Sequence, residues 1–168
     1  MGEVTSDQRN RVLAVNLAGG TAYCAVLEAP DRLVADELER IGLAEGLEPA
    51  EQLADFAARV RQELTRLEPV AVGVINTRKY ASWKYADAWR RVTMEAAIML
   101  SAAETSSSSM RINYKLVKQE TMAKTTEIPL AKLQDVCAER WGDSVPRYRK
   151  ERFPAVVGAM ALAKEFLA

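Results

Sequence analysis

The stretch Arg11–Glu28 constrains the fold more than any other part of the chain. Two apolar runs flank the small residues Ala18-Gly19-Gly20-Thr21. Branched apolar side chains favour pleated strands, and adjacent glycines supply the backbone freedom of a tight reversal. The pattern predicts a strand, a turn and a second strand returning beside the first. Arg32–Leu38 supplies a third, with Pro30 and Asp31 marking the turn before it, so the chain opens as an antiparallel meander.

Beyond the meander the chain alternates between helix and strand. Glu48-Pro49 opens a helix, because proline is tolerated at the first helical position, and Leu53, Phe56, Ala57, Val60, Leu64 and Leu67 recur at helical spacing. Pro69–Ile75 is a short valine-rich run that reads as a central strand buried on both faces. A long helix from about Ser82 to Glu104 is expected to enclose a face of Trp89, Val92, Ala96, Met99, Leu100 and Ala103. The serines Ser106 to Ser109 read as a flexible connection. Arg111–Val117 alternates as a strand does, Pro129 begins an amphipathic helix carrying Leu130, Leu133, Val136, Cys137 and Trp141, and Gly142 stops it. A last helix seats Pro154 in its first turn and holds Val156, Val157, Met160, Leu162, Ala163, Phe166 and Leu167. This order implies one α/β domain over residues 11–168, behind a flexible polar tail at 1–10. Its core is a mixed five-stranded sheet, an antiparallel meander followed by parallel strands, with helices on both faces.

Composition narrows the chemistry. The 168 residues contain no histidine, which excludes imidazole zinc sites, Ser-His and Cys-His nucleophile pairs and histidine proton shuttles. Lys plus Arg and Asp plus Glu each total 23, so any attraction to a polyanion must come from a local basic face. Cys24 and Cys137 lack metal-ligand spacing and read as buried free thiols. With no secretory signal and no apolar run of membrane-spanning length, a cytoplasmic protein without membrane contact is expected.

The order of elements resembles the ribonuclease H-like fold, and its finer pattern resembles the RuvC family of Holliday-junction resolvases. The likeness rests on the opening hairpin, on Val70–Asn76 with the alanine-rich helix through Glu95–Ala103, on Ile112–Gln119, and on the closing Val156–Ala163. In that family four acidic residues hold two metal ions, which activate water and stabilise the leaving oxygen. The resemblance matches those places to Asn16, Gly73, Ala155 and Gly158, and none of the four is acidic. It therefore implies a RuvC-like protein without catalytic residues, metal or cofactor. It also makes branched DNA a candidate partner and a homodimer the expected assembly.

Three readings stay open. The first is a non-catalytic subunit that binds DNA or RNA or assembles a complex. The second is a divergent metal-dependent nuclease whose acids have moved to Glu28, Asp36 or Glu151, Glu37 and Asp87 being the other nearby carboxylates. The third is a structural homo-oligomer using the tryptophan-rich helix. The segment Thr77–Arg91 interleaves Arg78, Lys79, Lys84, Arg90 and Arg91 with Tyr80, Trp83, Tyr85 and Trp89, which suits phosphate neutralisation and base stacking. It equally suits a helix start whose aromatics anchor the core or a protein partner, with Asp87 and Arg91 paired one turn apart. Lys118, Arg149 and Lys150 extend the basic candidates. Asn16–Thr21 also has the glycines of a kinase-type phosphate loop, although a hairpin turn explains them more simply.

Overall fold

A computed structural model describes residues 10–29, 32–34, 38–76, 84–108, 110–132, 135–136, 139–140 and 151–167. The opening hairpin forms as expected. Strand β1 (Arg11–Ala18) pairs antiparallel with β2 (Thr21–Glu28), with Ala18 opposite Thr21. Gly19 adopts φ +61 in the turn, a conformation that costs a side-chain-bearing residue far more than glycine.

The third strand comes in two pieces, β3 (Arg32–Leu33) and β4 (Arg40–Gly42). Both pair antiparallel with β2, β3 at Leu27 and Glu28 and β4 at Thr21 to Tyr23. Five strand positions are thus filled by six strands. Of the residues between the pieces, Ala35, Asp36 and Glu37 lie outside the described residues.

Helix α1 (Pro49–Leu67) starts where the proline signal places it and buries Phe56, Val60, Leu64 and Leu67. Strand β5 (Ala71–Asn76) follows, parallel to β1, and helix α2 (Tyr85–Thr105) leads to β6 (Asn113–Lys118), parallel to β5. Periodicity does not register helix α3 (Gln119–Thr126), a short turn of chain carried on Met122 and Thr126. The helix expected from Pro129 begins as a 3-10 turn at Leu130–Lys132, and most of its remainder falls outside the described residues. Helix α4 (Arg152–Phe166) closes the chain.

Two cores sandwich the sheet. Val12, Ala14, Ala71 and Ile75 face α3 and α4, whereas Leu13, Val15, Val72 and Val74 face α1 and α2. Helix α4 is apolar on nearly every side, with Val156, Val157 and Ala159 all fully buried, because it lies across β1, β2 and β5 under α3.

Helix α2 corrects the expectation from sequence. Its buried side is Arg91, Met94, Ala97, Ile98, Ser101 and Ala102, and the expected inner face is turned outward: Trp89 is 43% exposed, Val92 54%, Met99 49% and Leu100 57%. Both sides of the helix are apolar, so spacing alone cannot choose between them. The small residues decide the matter, since they allow α2 to approach α1 closely enough for Ser101 Oγ to lie 3.4 Å from the Ala57 carbonyl.

The serine run makes local hydrogen bonds where it is described. Ser106 Oγ donates to the Ala102 carbonyl at 2.8 Å and accepts from the Ile112 N–H at 2.9 Å, and the backbones of Ser107 and Met110 bond to each other.

Candidate functional site

Strands β1, β5 and β6 are parallel, so their C-terminal ends share one edge of the sheet, where open α/β sheets receive ligands. Asn16 stands near the end of β1. Lys118 closes β6 opposite Asn76, and the first turns of α2 bring Arg90 and Arg91 to the same edge. Lys84, exposed, precedes α2. Arg78, Lys79, Tyr80, Trp83, Arg149 and Lys150 lie outside the described residues.

Asn16 is 7% exposed, and its Nδ2 donates a 2.7 Å hydrogen bond to the Glu151 carbonyl just before α4. The amide thus ties the end of β1 to the start of the last helix. Gly73, Ala155 and Gly158 lie on the same face of the sheet as Asn16, between β5 and α4. Their surroundings are filled with hydrocarbon. A Cβ on Gly158 would stand 2.3 Å from Ile75 Cδ1, and one on Gly73 would stand 2.8 Å from both Leu162 Cδ1 and Val117 Cγ2. Ala155 is wholly buried. An amide engaged with a carbonyl and three small residues under apolar side chains do not fit a pair of divalent cations, which demand several anionic oxygens each.

Of the alternative acids, Asp36 and Glu37 lie outside the described residues, and the described ones do not form a cluster of three. Glu28 sits at the far end of β2, paired with Arg11 at 2.7 Å and with Arg32 at 3.4 Å. Glu151 contributes its backbone carbonyl to Asn16 and has an exposed side chain. Among the described residues no three histidine, cysteine, aspartate or glutamate side chains could jointly hold a metal.

Two buried guanidinium groups flank this edge instead. Arg91 is 4% exposed; its Nη1 donates to the Leu17 carbonyl at 2.7 Å and its Nη2 to the Ile75 carbonyl. It joins the ends of β1 and β5 to α2, so it is part of the wall rather than a surface cation. Arg152, fully buried, donates from Nε to the Cys24 carbonyl at 3.0 Å, and its Nη1 lies 3.7 Å from Glu39 Oε1. By sequence alone Arg152 groups with a basic loop. Its place beside Phe153 and Pro154 in a helix start is the available signal that it turns inward. Burial pushes the neighbouring Cys24 thiol up to about 12, with Arg152 opposing the shift.

A cleft of about 480 Å³ opens beside Asn16, walled by Leu17 through Gly20 of the hairpin and by Asp87, Arg90, Arg91 and Met94 of α2. The glycine turn, which by sequence is a plain reversal, is therefore also a wall of the cleft.

Neither a protein-family model nor a curated protein sequence matches this chain. Solved structures do. Thermus thermophilus RuvC superposes with a TM-score of 0.69 at 16% identity, covering 90% of this chain and 92% of its own. The T. thermophilus RuvC in complex with its Holliday junction substrate gives 0.67 at 16% identity, covering 90% and 91%. At that identity the likeness establishes the architecture: this chain has a RuvC-like, ribonuclease H-type α/β fold over nearly its whole length.

Proposed function

We propose that this chain is a non-catalytic RuvC-like subunit that binds nucleic acid, working as a homodimer. The observation that carries the reading is the state of the four matched positions. Asn16 engages its amide with the Glu151 carbonyl, and Gly73 and Gly158 have Leu162, Val117 and Ile75 where a carboxylate would need to stand. Binding is supported by Lys84, Arg90 and Lys118 around the edge of the sheet and by a structural neighbour that holds a Holliday junction. Dimerisation is supported by the outward stripe of α2, where Trp89, Val92, Met99 and Leu100 place four exposed apolar side chains on one side of the helix. No described helix is long and apolar enough to cross a membrane.

Two assays on one preparation test this. Four-way junction, duplex and single-stranded oligonucleotides are incubated with Mg²⁺ or Mn²⁺ and separately titrated at rising salt. The expected result is no cleavage and a binding constant that falls steeply with salt. Metal-dependent cleavage lost in Glu28→Gln or Glu151→Gln would establish the divergent nuclease. Light scattering should give the mass of two chains, reduced to one by Trp89→Ala with Leu100→Glu. A dimer that binds none of the nucleic acids would favour the structural homo-oligomer, the reading for which the α2 stripe alone speaks.

A further inference from the structure

The cleft beside Asn16 gathers more positive charge than a mere gap between hairpin and helix requires. At the ends of β1 and β5 the Leu17 and Ile75 carbonyls direct negative charge toward this edge, which would repel any anion. Arg91 covers both and replaces that charge with a guanidinium, itself buried. Arg90 comes from the adjacent position on α2 and lies across Gly20, where an added Cβ would meet its Cδ at 3.5 Å. Gly19 also lines the cleft, and a Cβ there would meet nothing within 4 Å, so the turn is not crowded by neighbouring side chains. Asp87 is the acid on the wall. One buried, hydrogen-bonded guanidinium, one exposed one, a single acid and about 480 Å³ of space beside a glycine turn suit a compact anion.

We propose that this cleft is a metal-independent phosphate site, formed by Arg90 over the Gly19–Gly20 turn with the buried Arg91 charge in the wall behind it, that takes a phosphomonoester or phosphodiester group. It rests on the nucleic-acid reading above and deepens it by naming the group bound and the cations that hold it. Phosphate suits the site because the exposed Arg90 guanidinium can meet two of its oxygens at once while the buried Arg91 charge lies behind them.

The test uses the full chain in EDTA at low salt. Inorganic phosphate, a 5′-phosphorylated dinucleotide and the same dinucleotide with a 5′-hydroxyl are titrated by calorimetry against wild type, Arg90→Ala and Asp87→Asn. Saturable binding is expected for inorganic phosphate. Loss of one charged contact in Arg90→Ala should weaken it roughly tenfold, and Asp87→Asn should strengthen it several-fold by removing the acid. The gain in Asp87→Asn cannot arise from misfolding, so it separates a site from a structural cluster. Tighter binding of the 5′-phosphorylated dinucleotide identifies a terminal monoester as the natural group, and equal binding of the two identifies the internal diester. No saturable phosphate binding in wild type or Asp87→Asn, binding abolished by EDTA, or affinities that ignore both substitutions would overturn the site. In those cases salt-dependent binding of long oligonucleotides, if it persists, leaves the broader reading standing. Phosphate binding without oligonucleotide binding would keep the site and remove the nucleic acid.

Discussion

Replacing Asn16 by alanine removes a hydrogen bond that spans 135 residues of sequence and joins β1 to α4. Two terms set the cost. The net worth of an amide-to-carbonyl bond is about 0.5–1.5 kcal/mol, and a buried carbonyl left without its donor adds up to about 1–3 kcal/mol. Glu151 is exposed, so water reaches its carbonyl in part and the second term falls toward its lower end. The sum is about 1.5–2.5 kcal/mol. For a chain of this length that is roughly 3–10 °C in Tm, evaluated near the transition. Thermal unfolding followed by circular dichroism measures the total. Amide exchange at Phe153 and Ala155 measures whether the loss is local to the start of α4. The result that refutes the reasoning is a Tm within a degree of wild type with unchanged protection at α4, which would mean that the bond contributes nothing. The companion change Asn16→Asp should give no cleavage with Mg²⁺ or Mn²⁺, because its neighbours at the matched positions remain glycine and alanine. It should also place a carboxylate oxygen against the carbonyl that the amide now meets, so it should be no more stable than the alanine variant at neutral pH. A gain in stability there would show that the attraction of the buried Arg152 outweighs that contact.

Gly158→Ala should destabilise the protein despite alanine's helix preference of about 1 kcal/mol, since its Cβ would stand 2.3 Å from Ile75 Cδ1. Ile75→Val deletes that atom, so urea unfolding of the double variant should show less loss than the two single changes added; strict additivity would refute the contact. Cys24, in a Cys137→Ser background, should resist alkylation in the native state and react only on unfolding, because burial holds its thiol near 12 against an ordinary 9.0. By linkage the folded thiol keeps its proton while the unfolded one loses it, so the stability it contributes is complete below about 9 and declines as pH rises toward 12. Fast native alkylation at pH 8 would contradict this.

The fold is legible where periodicity and punctuation agree. Glu48-Pro49 marks the start of α1, and Phe56, Val60 and Leu64 identify its inner face, because the remaining sides of that helix are charged. The same reasoning fails on α2. Its outer and inner stripes are both apolar, and the selection of Ala97, Ser101 and Ala102 for the interior depends on how close α1 must come, a property of two elements together. The split of the third strand is hidden for a related reason: strand propensity marks a run of residues, whereas the break lies in which parts of it can pair with β2. In the site, Asn16, Gly73, Ala155 and Gly158 can be located through the resemblance, but nothing in the sequence states that Asn16 binds Glu151 or that Ile75 and Leu162 occupy the neighbouring space. Arg91 illustrates the limit most sharply. Its neighbours Arg90 and Val92 are exposed, and only its position on the helix turns it toward two strand carbonyls.

The electrostatic character of this edge follows from those contacts. A sheet whose parallel strands end together leaves carbonyls at that end with no further strand residue to bond, and they require donors from elsewhere. Where carboxylates and metal ions occupy such an edge, the cations supply the positive partner. Here Arg91 supplies it to Leu17 and Ile75, while nearby Asn16 bonds the Glu151 carbonyl and Arg152 the Cys24 carbonyl inside β2. Arg91 and Arg152 are permanently charged, Arg152 with Glu39 beside it, so positive charge is built into this edge without any ion being bound. A single carboxylate added by mutation would first be neutralised by the nearest guanidinium, which lowers its ability to recruit a metal. Adding one acid is therefore a poor way to build a metal site here. Activity would require removing Arg91 or Arg152 as well, and each removal would leave buried strand carbonyls without their donors, at about 1–3 kcal/mol apiece. The same contacts that stabilise the fold at this edge thus set the electrostatic setting on which the proposed phosphate site depends.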